Sequence, residues 1–146
     1  MTININPIDD GVTHINVYSK GKTEIGRFLS NFAYAPALTP DGHFCSIEGY
    51  WYWLSCKDDR LRELNGWEAK KLGRELGASD WLEELEFKNK IKEAIKLKLK
   101  TYPSRLEQLK KINIPLAHYY VYGNKVVNVP NSKWIIDFIE ELKNEA

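Results

Sequence analysis

One carboxylate stands among aromatic side chains in the run Ser46-Ile47-Glu48-Gly49-Tyr50-Trp51-Tyr52-Trp53. Acidic residues avoid such surroundings unless a partner or a task holds them there. Burial disfavours the charged form of Glu48 and lifts its pKa toward neutrality, which suits a general acid or base. The plainer alternative is a glutamate that satisfies backbone or arginine donors at a helix start. A second group is Lys70, with Lys71 beside it and Arg74 four residues on. Adjacent cations favour a neutral lysine, and a neutral amine is a nucleophile able to form a Schiff base with a carbonyl. The spacing puts Lys70 and Arg74 on one helical face. A solvated basic face has the same pattern.

Other candidates are binders rather than reactants. Arg27, Ser30 and Asn31 follow a turn flanked by Gly21 and Gly26, and their donors suit hydroxyls or a phosphate. Asn31 is equally a turn-capping residue. Arg74 suits a pyrophosphate in the same way. Among the tryptophans, Trp81 follows the helix-capping pair Ser79-Asp80 and is the one most open to stacking, whereas most of the others belong to a core. His118 lies in His118-Tyr119-Tyr120-Val121-Tyr122, as a structural group or as a proton donor. Three histidines, with cysteines only at 45 and 56, assemble no metal-ligand pattern. No metal and no cofactor are expected, and both thiols read as reduced and structural.

These groups need elements to hold them. Residues 13–18 alternate as a half-buried strand. Pro36, Pro40 and Asp41-Gly42 mark a loop. Ser46 caps a helix that runs to about Cys56 and is aromatic all round, hence buried. A second helix covers Trp67 to Leu76, closed by Gly77, and Ser79-Asp80 start a third. That third helix carries Phe87, Ile91, Ile95 and Leu99 at helical spacing to about Lys100. Its Lys88, Lys90, Lys92, Lys96, Lys98 and Lys100 complement the helix dipole or could meet phosphates. Ser104-x-x-Glu107 after Pro103 has the form of a capping box. Leu116–Tyr122 and Lys125–Val129 form a hairpin about Gly123-Asn124, and Trp134–Leu142 a last amphipathic helix. The fold expected is α+β: one mostly helical domain over 1–146, with residues 1–12 as a flexible start. Its small sheet joins the N-terminal strand to the late hairpin.

Bulk properties narrow the function. With 21 basic and 20 acidic residues the net charge is +1, too balanced for a nucleic-acid coat. No run is long and apolar enough for a membrane span, and the first ten residues do not look like a secretory leader. A cytoplasmic location and no membrane partner are the expectations.

Three motifs resemble the NADAR (YbiA-like) family of N-glycosidases. Gly26-Arg27-Phe28-Leu29-Ser30-Asn31-Phe32-Ala33 resembles that family's L-S-N-F entry. Ser46-Ile47-Glu48-Gly49-Tyr50-Trp51 is similar to its S-V-E-x-Y-Y, and Ala69-Lys70-Lys71-Leu72-Gly73-Arg74 to its A-K-x-x-G-R, followed by a tryptophan at 81. The likeness runs from about Ile15 to Leu142 and thins after Leu109. Tyr52 and Ser55 replace the family's Gln and Lys, Tyr122-Gly123 takes the place of its late W-G, and its C-terminal motif is absent, as in a divergent branch.

The resemblance implies a mostly helical α+β domain that cleaves an N-glycosidic bond. The implied substrate is ADP-ribose on a modified guanine, in DNA or RNA, or an N-ribosyl intermediate of riboflavin synthesis. Glu48, Lys70 and His118 are the implied catalytic residues; Arg27, Ser30, Asn31, Tyr50, Arg74, Trp81 and Tyr122 would bind substrate. A module that holds ADP-ribose-like nucleotides without cleaving them is the alternative, and oligomeric state is not legible.

Overall fold

The computed structural model describes residues 5–78 and 81–145. The chain is α+β, with helices predominating, as the sequence implies. It divides into two compact units, one formed by the chain up to Ser30 together with the chain from Arg105, the other by Asn31–Ser104.

In the discontinuous unit, β1 (Ile15–Asn16) pairs in parallel with β4 (Leu116–Ala117). The strand is shorter than the alternation over 13–18 implies, and its partner is the start of the expected hairpin arm Leu116–Tyr122, which breaks at His118 into two strands. The hairpin, β5 (Tyr119–Tyr122) and β6 (Lys125–Asn128), turns about Gly123-Asn124 as expected, but forms a sheet of its own. The buried Asn16 side chain links the two sheets. Its amide nitrogen donates to the Tyr119 carbonyl at 3.0 Å, and its oxygen accepts from the Tyr119 N–H at 3.1 Å. Residues 24–29, expected as part of a turn, form helix α1 (Glu24–Leu29). Thr23 caps it by accepting from the Gly26 N–H at 3.0 Å, a cap obscured in the sequence by glycines on either side. Helix α6 (Lys133–Asn144) buries Ile135, Ile136, Ile139 and Leu142.

In the continuous unit, the loop expected around Pro40 is a hairpin of β2 (Ala37–Thr39) and β3 (Gly42–Phe44). Three-residue strands are too short to show alternation, so only their turn residues were legible. Helix α2 (Ile47–Cys56) is capped by Ser46, whose hydroxyl accepts from the Gly49 N–H at 3.1 Å. Helix α3 (Gly66–Glu75) is capped by Asn65, and Gly77 ends it at φ +62°, a left-handed conformation that favours glycine.

Helix α4 (Glu84–Thr101) buries Ile91, Ile95 and Leu99 as its spacing implies. Its capping side chain is Glu83, while the expected cap Ser79-Asp80 lies outside the described residues. Lys98, one of the lysines expected to complement the helix dipole or meet phosphates, is buried instead, and burial lowers its pKa to about 7. Helix α5 spans Pro103–Lys110, so Ser104 is already helical and the capping box is not used; proline takes the first position, where its missing N–H costs nothing.

Candidate active site

The segment Asn31-Phe32 ties together the starts of α2 and α3. The Asn31 carbonyl accepts from the Glu48 N–H at 3.0 Å, and the Phe32 carbonyl accepts from the Gly66 N–H at 3.2 Å. Ser46 adds a bond from its hydroxyl to the Leu64 carbonyl at 3.1 Å. Two glycines then let α3 approach closely. A Cβ on Gly66 would lie 2.1 Å from the Phe32 Cα, and one on Gly73 would lie 2.3 Å from the Tyr52 ring. Glu48 in the first turn of α2 thus faces the charges of Lys70 and Arg74 on α3.

The electrostatics follow from this packing. Glu48 is half-buried, and loss of solvation lifts its carboxyl to about 7; the nearby Lys70 and Arg74 pull the other way but do not cancel it. Tyr52, four residues along the same helical face, accepts a hydrogen bond from Arg74. Burial and the charge of Glu48 raise its pKa and outweigh that bond, so the phenol keeps its proton. The Lys70 ammonium sits 5.6 Å from the centre of the Phe32 ring. A carboxyl that titrates near neutrality, beside two cations and a phenol, can exchange protons and hold an anion.

Aromatic residues continue the site. Trp81 is 41% exposed, with its ring centre 6.1 Å from that of Tyr52 and in edge contact with Phe87 at 5.5 Å. Phe87 meets Trp51 edge-on at 4.7 Å.

Neither a family model nor a curated protein matches the sequence. The fold is similar to that of the E. coli protein YbiA, known from an NMR structure, with a TM-score of 0.65. The similarity extends over 95% of this chain and 91% of that one, at 17% sequence identity. At that identity the likeness is one of fold. A YbiA-like fold is what the motifs at 26–33, 46–51 and 69–74 imply.

Of the residues singled out in the sequence, Glu48, Lys70 and Arg74 come together in the continuous unit, with Trp81 joined to them through Tyr52. Asn31 contributes its backbone carbonyl. Tyr50 has no surface left for a ligand. It is fully buried, and its hydroxyl donates to Asp41 at 2.6 Å, where Lys90 also binds at 3.0 Å. Burial works to raise the Asp41 pKa, but these two partners outweigh it and hold the carboxylate below its usual range.

In the other unit, Arg27 is exposed on α1 and donates to the Gly21 carbonyl at 2.8 Å, and Ser30 is buried at the end of that helix. Tyr122 is exposed at the hairpin tip. His118 lies with its Nδ1 2.6 Å from the Val17 carbonyl, which only a protonated nitrogen can donate to. Burial lowers its pKa despite that bond, so at neutral pH its Nε2 offers a lone pair. The ring is therefore set to accept a proton rather than to supply one.

Two site residues escaped sequence reasoning. Tyr52 was noted only as a departure from a motif, although its i+4 spacing from Glu48 was a usable signal. Phe32 was quoted within a motif, but its place under Lys70 depends on a tertiary approach. An open groove of about 390 Å³, lined by Pro40, Leu85, Asn89, Lys90 and acidic residues of α4, includes none of the residues around Glu48. Apolar pockets are the usual first guess for a ligand site. The titratable cluster around Glu48 lies outside this groove. Among the described residues no group of three His, Cys, Asp or Glu could hold a metal ion, and no helix is long and apolar enough to cross a membrane.

Proposed function

We propose that this protein is an N-glycosidase that releases an ADP-ribosyl or ribosyl group by cleaving the bond between its anomeric carbon and a nitrogen. The observation that carries the reading is Glu48, a half-buried carboxyl with a pKa near 7 that faces Lys70 and Arg74. Breaking such a bond builds positive charge on the sugar while electrons collect on the departing nitrogen. Ionised Glu48 stabilises the first and takes a proton from the attacking water. Arg74, exposed on α3, is suited to a phosphate of the substrate. The YbiA-like fold and the three motifs support the same reading.

Lys70 has two possible routes: charge stabilisation, or attack on the opened sugar to give an imine. Borohydride added during turnover separates them, because it reduces an imine to a stable adduct at Lys70. The expected substrate is ADP-ribosylated guanine in a nucleic acid, with N-ribosyl riboflavin intermediates next. Trp81 would stack on the departing base.

A non-catalytic nucleotide-binding module is the second reading, favoured by Tyr52 and Ser55 at positions where the family pattern has Gln and Lys. Mass spectrometry of each substrate class incubated with the protein decides between them. The glycosidase reading requires many product molecules per protein; stoichiometric retention without product supports the module.

A further inference from the structure

Tyr52 is the group that joins the charged cluster to the aromatic one, and neither the motifs nor the general chemistry above gives it a task. Its ring is packed against α3 at Gly73, where no side chain fits. Its oxygen already accepts from Arg74. With its oxygen accepting from Arg74, the hydroxyl still has one proton to donate. Donation by Arg74 into the same oxygen polarises the O–H and strengthens it as a donor. Trp81, 6.1 Å away and held edge-on by Phe87, offers a flat, partly exposed surface beside that donor.

We propose that the Tyr52 hydroxyl and the Trp81 face form the leaving-group subsite, and that they select N-glycosides whose departing group is a planar heterocycle with a hydrogen-bond acceptor. The proposal rests on the N-glycosidase reading. In the step, the bond from the anomeric carbon to nitrogen breaks and its electron pair stays with the heterocycle. Water forms the new bond to carbon and gives a proton to Glu48. The Tyr52 hydroxyl stays intact and stabilises the departing heterocyclic anion through a hydrogen bond. Solvent protonates the anion after release, and Glu48 returns its proton to solvent. The phenol retains its proton because burial raises its pKa. A simple ribosylamine, with neither ring nor acceptor, gains nothing from this subsite.

The test compares a heteroaryl N-riboside with a simple ribosylamine, using wild type, Tyr52→Phe and Tyr52→Gln. Phenylalanine keeps the ring against Gly73, so thermal melting of that variant reports whether the fold is intact. Tyr52→Phe is expected to lower kcat for the heteroaryl substrate by about 100-fold, with KM little changed and ribosylamine turnover nearly unaffected. An equal effect on both substrates, or none on either, would overturn the proposal while leaving the glycosidase reading in place. Calorimetric titration with free hypoxanthine supplies a readout that needs no turnover. Binding is expected in wild type, weakened in Tyr52→Phe and lost in Trp81→Ala. If wild type cleaves neither substrate, the hypoxanthine titration decides alone: binding that depends on Tyr52 and Trp81 supports the subsite, and absence of binding overturns it.

Discussion

A carboxyl that is protonated at pH 6 in the fold, yet ionised at that pH in the unfolded chain, ties the proposed catalysis to stability at one residue. The pKa of Glu48 rises from an ordinary 4.5 to about 7. Between those values the native state binds a proton that the unfolded state has released. Stability from this group is therefore full below about pH 4.5 and falls as pH rises through 7. Glu48→Gln should stabilise the protein at pH 8 by up to roughly 3 kcal/mol, and by little at pH 4. Thermal melts at the two pH values check this, and an equal gain at both would remove the burial argument. With ionised Glu48 as the base, kcat/KM should also rise through about pH 7 and level off above it. A profile flat from pH 5 to 8 would assign proton transfer to another group. Glu48 was legible in the sequence because a lone carboxylate in an aromatic run is conspicuous. Tyr50 in the same run illustrates the limit: type and spacing do not tell which aromatic residue faces inward.

At the scale of elements, the site depends on how closely α2 and α3 approach. Gly73→Ala pushes a methyl into the Tyr52 ring, at 2.3 Å for an unrelaxed structure. The expected cost is about 1–3 kcal/mol, together with loss of the Tyr52 position. Gly123→Ala is the control: its φ is +60° but no atom lies within 4 Å, so only the strain of a left-handed residue, about 1–2 kcal/mol, is expected. Chemical denaturation of both variants measures the stability difference. Activity should separate them further, since only the α3 variant disturbs the site. In the other unit, Asn16→Ala leaves the Tyr119 peptide without both of its side-chain partners in a buried setting. A loss of about 2–4 kcal/mol is expected there.

Long helices with fourfold apolar spacing, such as α4, were legible because periodicity accumulates over several turns. Helix α1 and the hairpin at 37–44 were not, since six- and three-residue elements are specified by caps and tertiary pairing. Lys98 shows the same limit on a helix that was correctly placed. Its row of lysines reads as a set that complements the helix dipole, and only the fold turns one of them inward.

The whole molecule constrains the substrate through its charge. With 21 basic side chains balanced by 20 acidic ones, the net charge of +1 gives little overall attraction for a phosphate backbone. If the substrate is a modified nucleic acid, the logarithm of affinity should fall with the logarithm of salt at a slope no steeper than about −3, equivalent to about three phosphate contacts. A much steeper slope would point to an extended nucleic-acid face that the charge balance does not predict. The α+β class was readable from the alternation of patterns along the chain, and the similarity to YbiA over nearly all of it agrees. Which segments come together in the discontinuous unit is not encoded in local pattern, because it depends on pairings such as β1 with β4 about a hundred residues apart. The most direct test of the central claim is release of ADP-ribose from an ADP-ribosylated guanine oligonucleotide, measured for wild type beside Glu48→Gln. Multiple-turnover release by wild type, reduced at least about 100-fold in Glu48→Gln, is the predicted result. Equal release by both proteins would contradict the role given to Glu48.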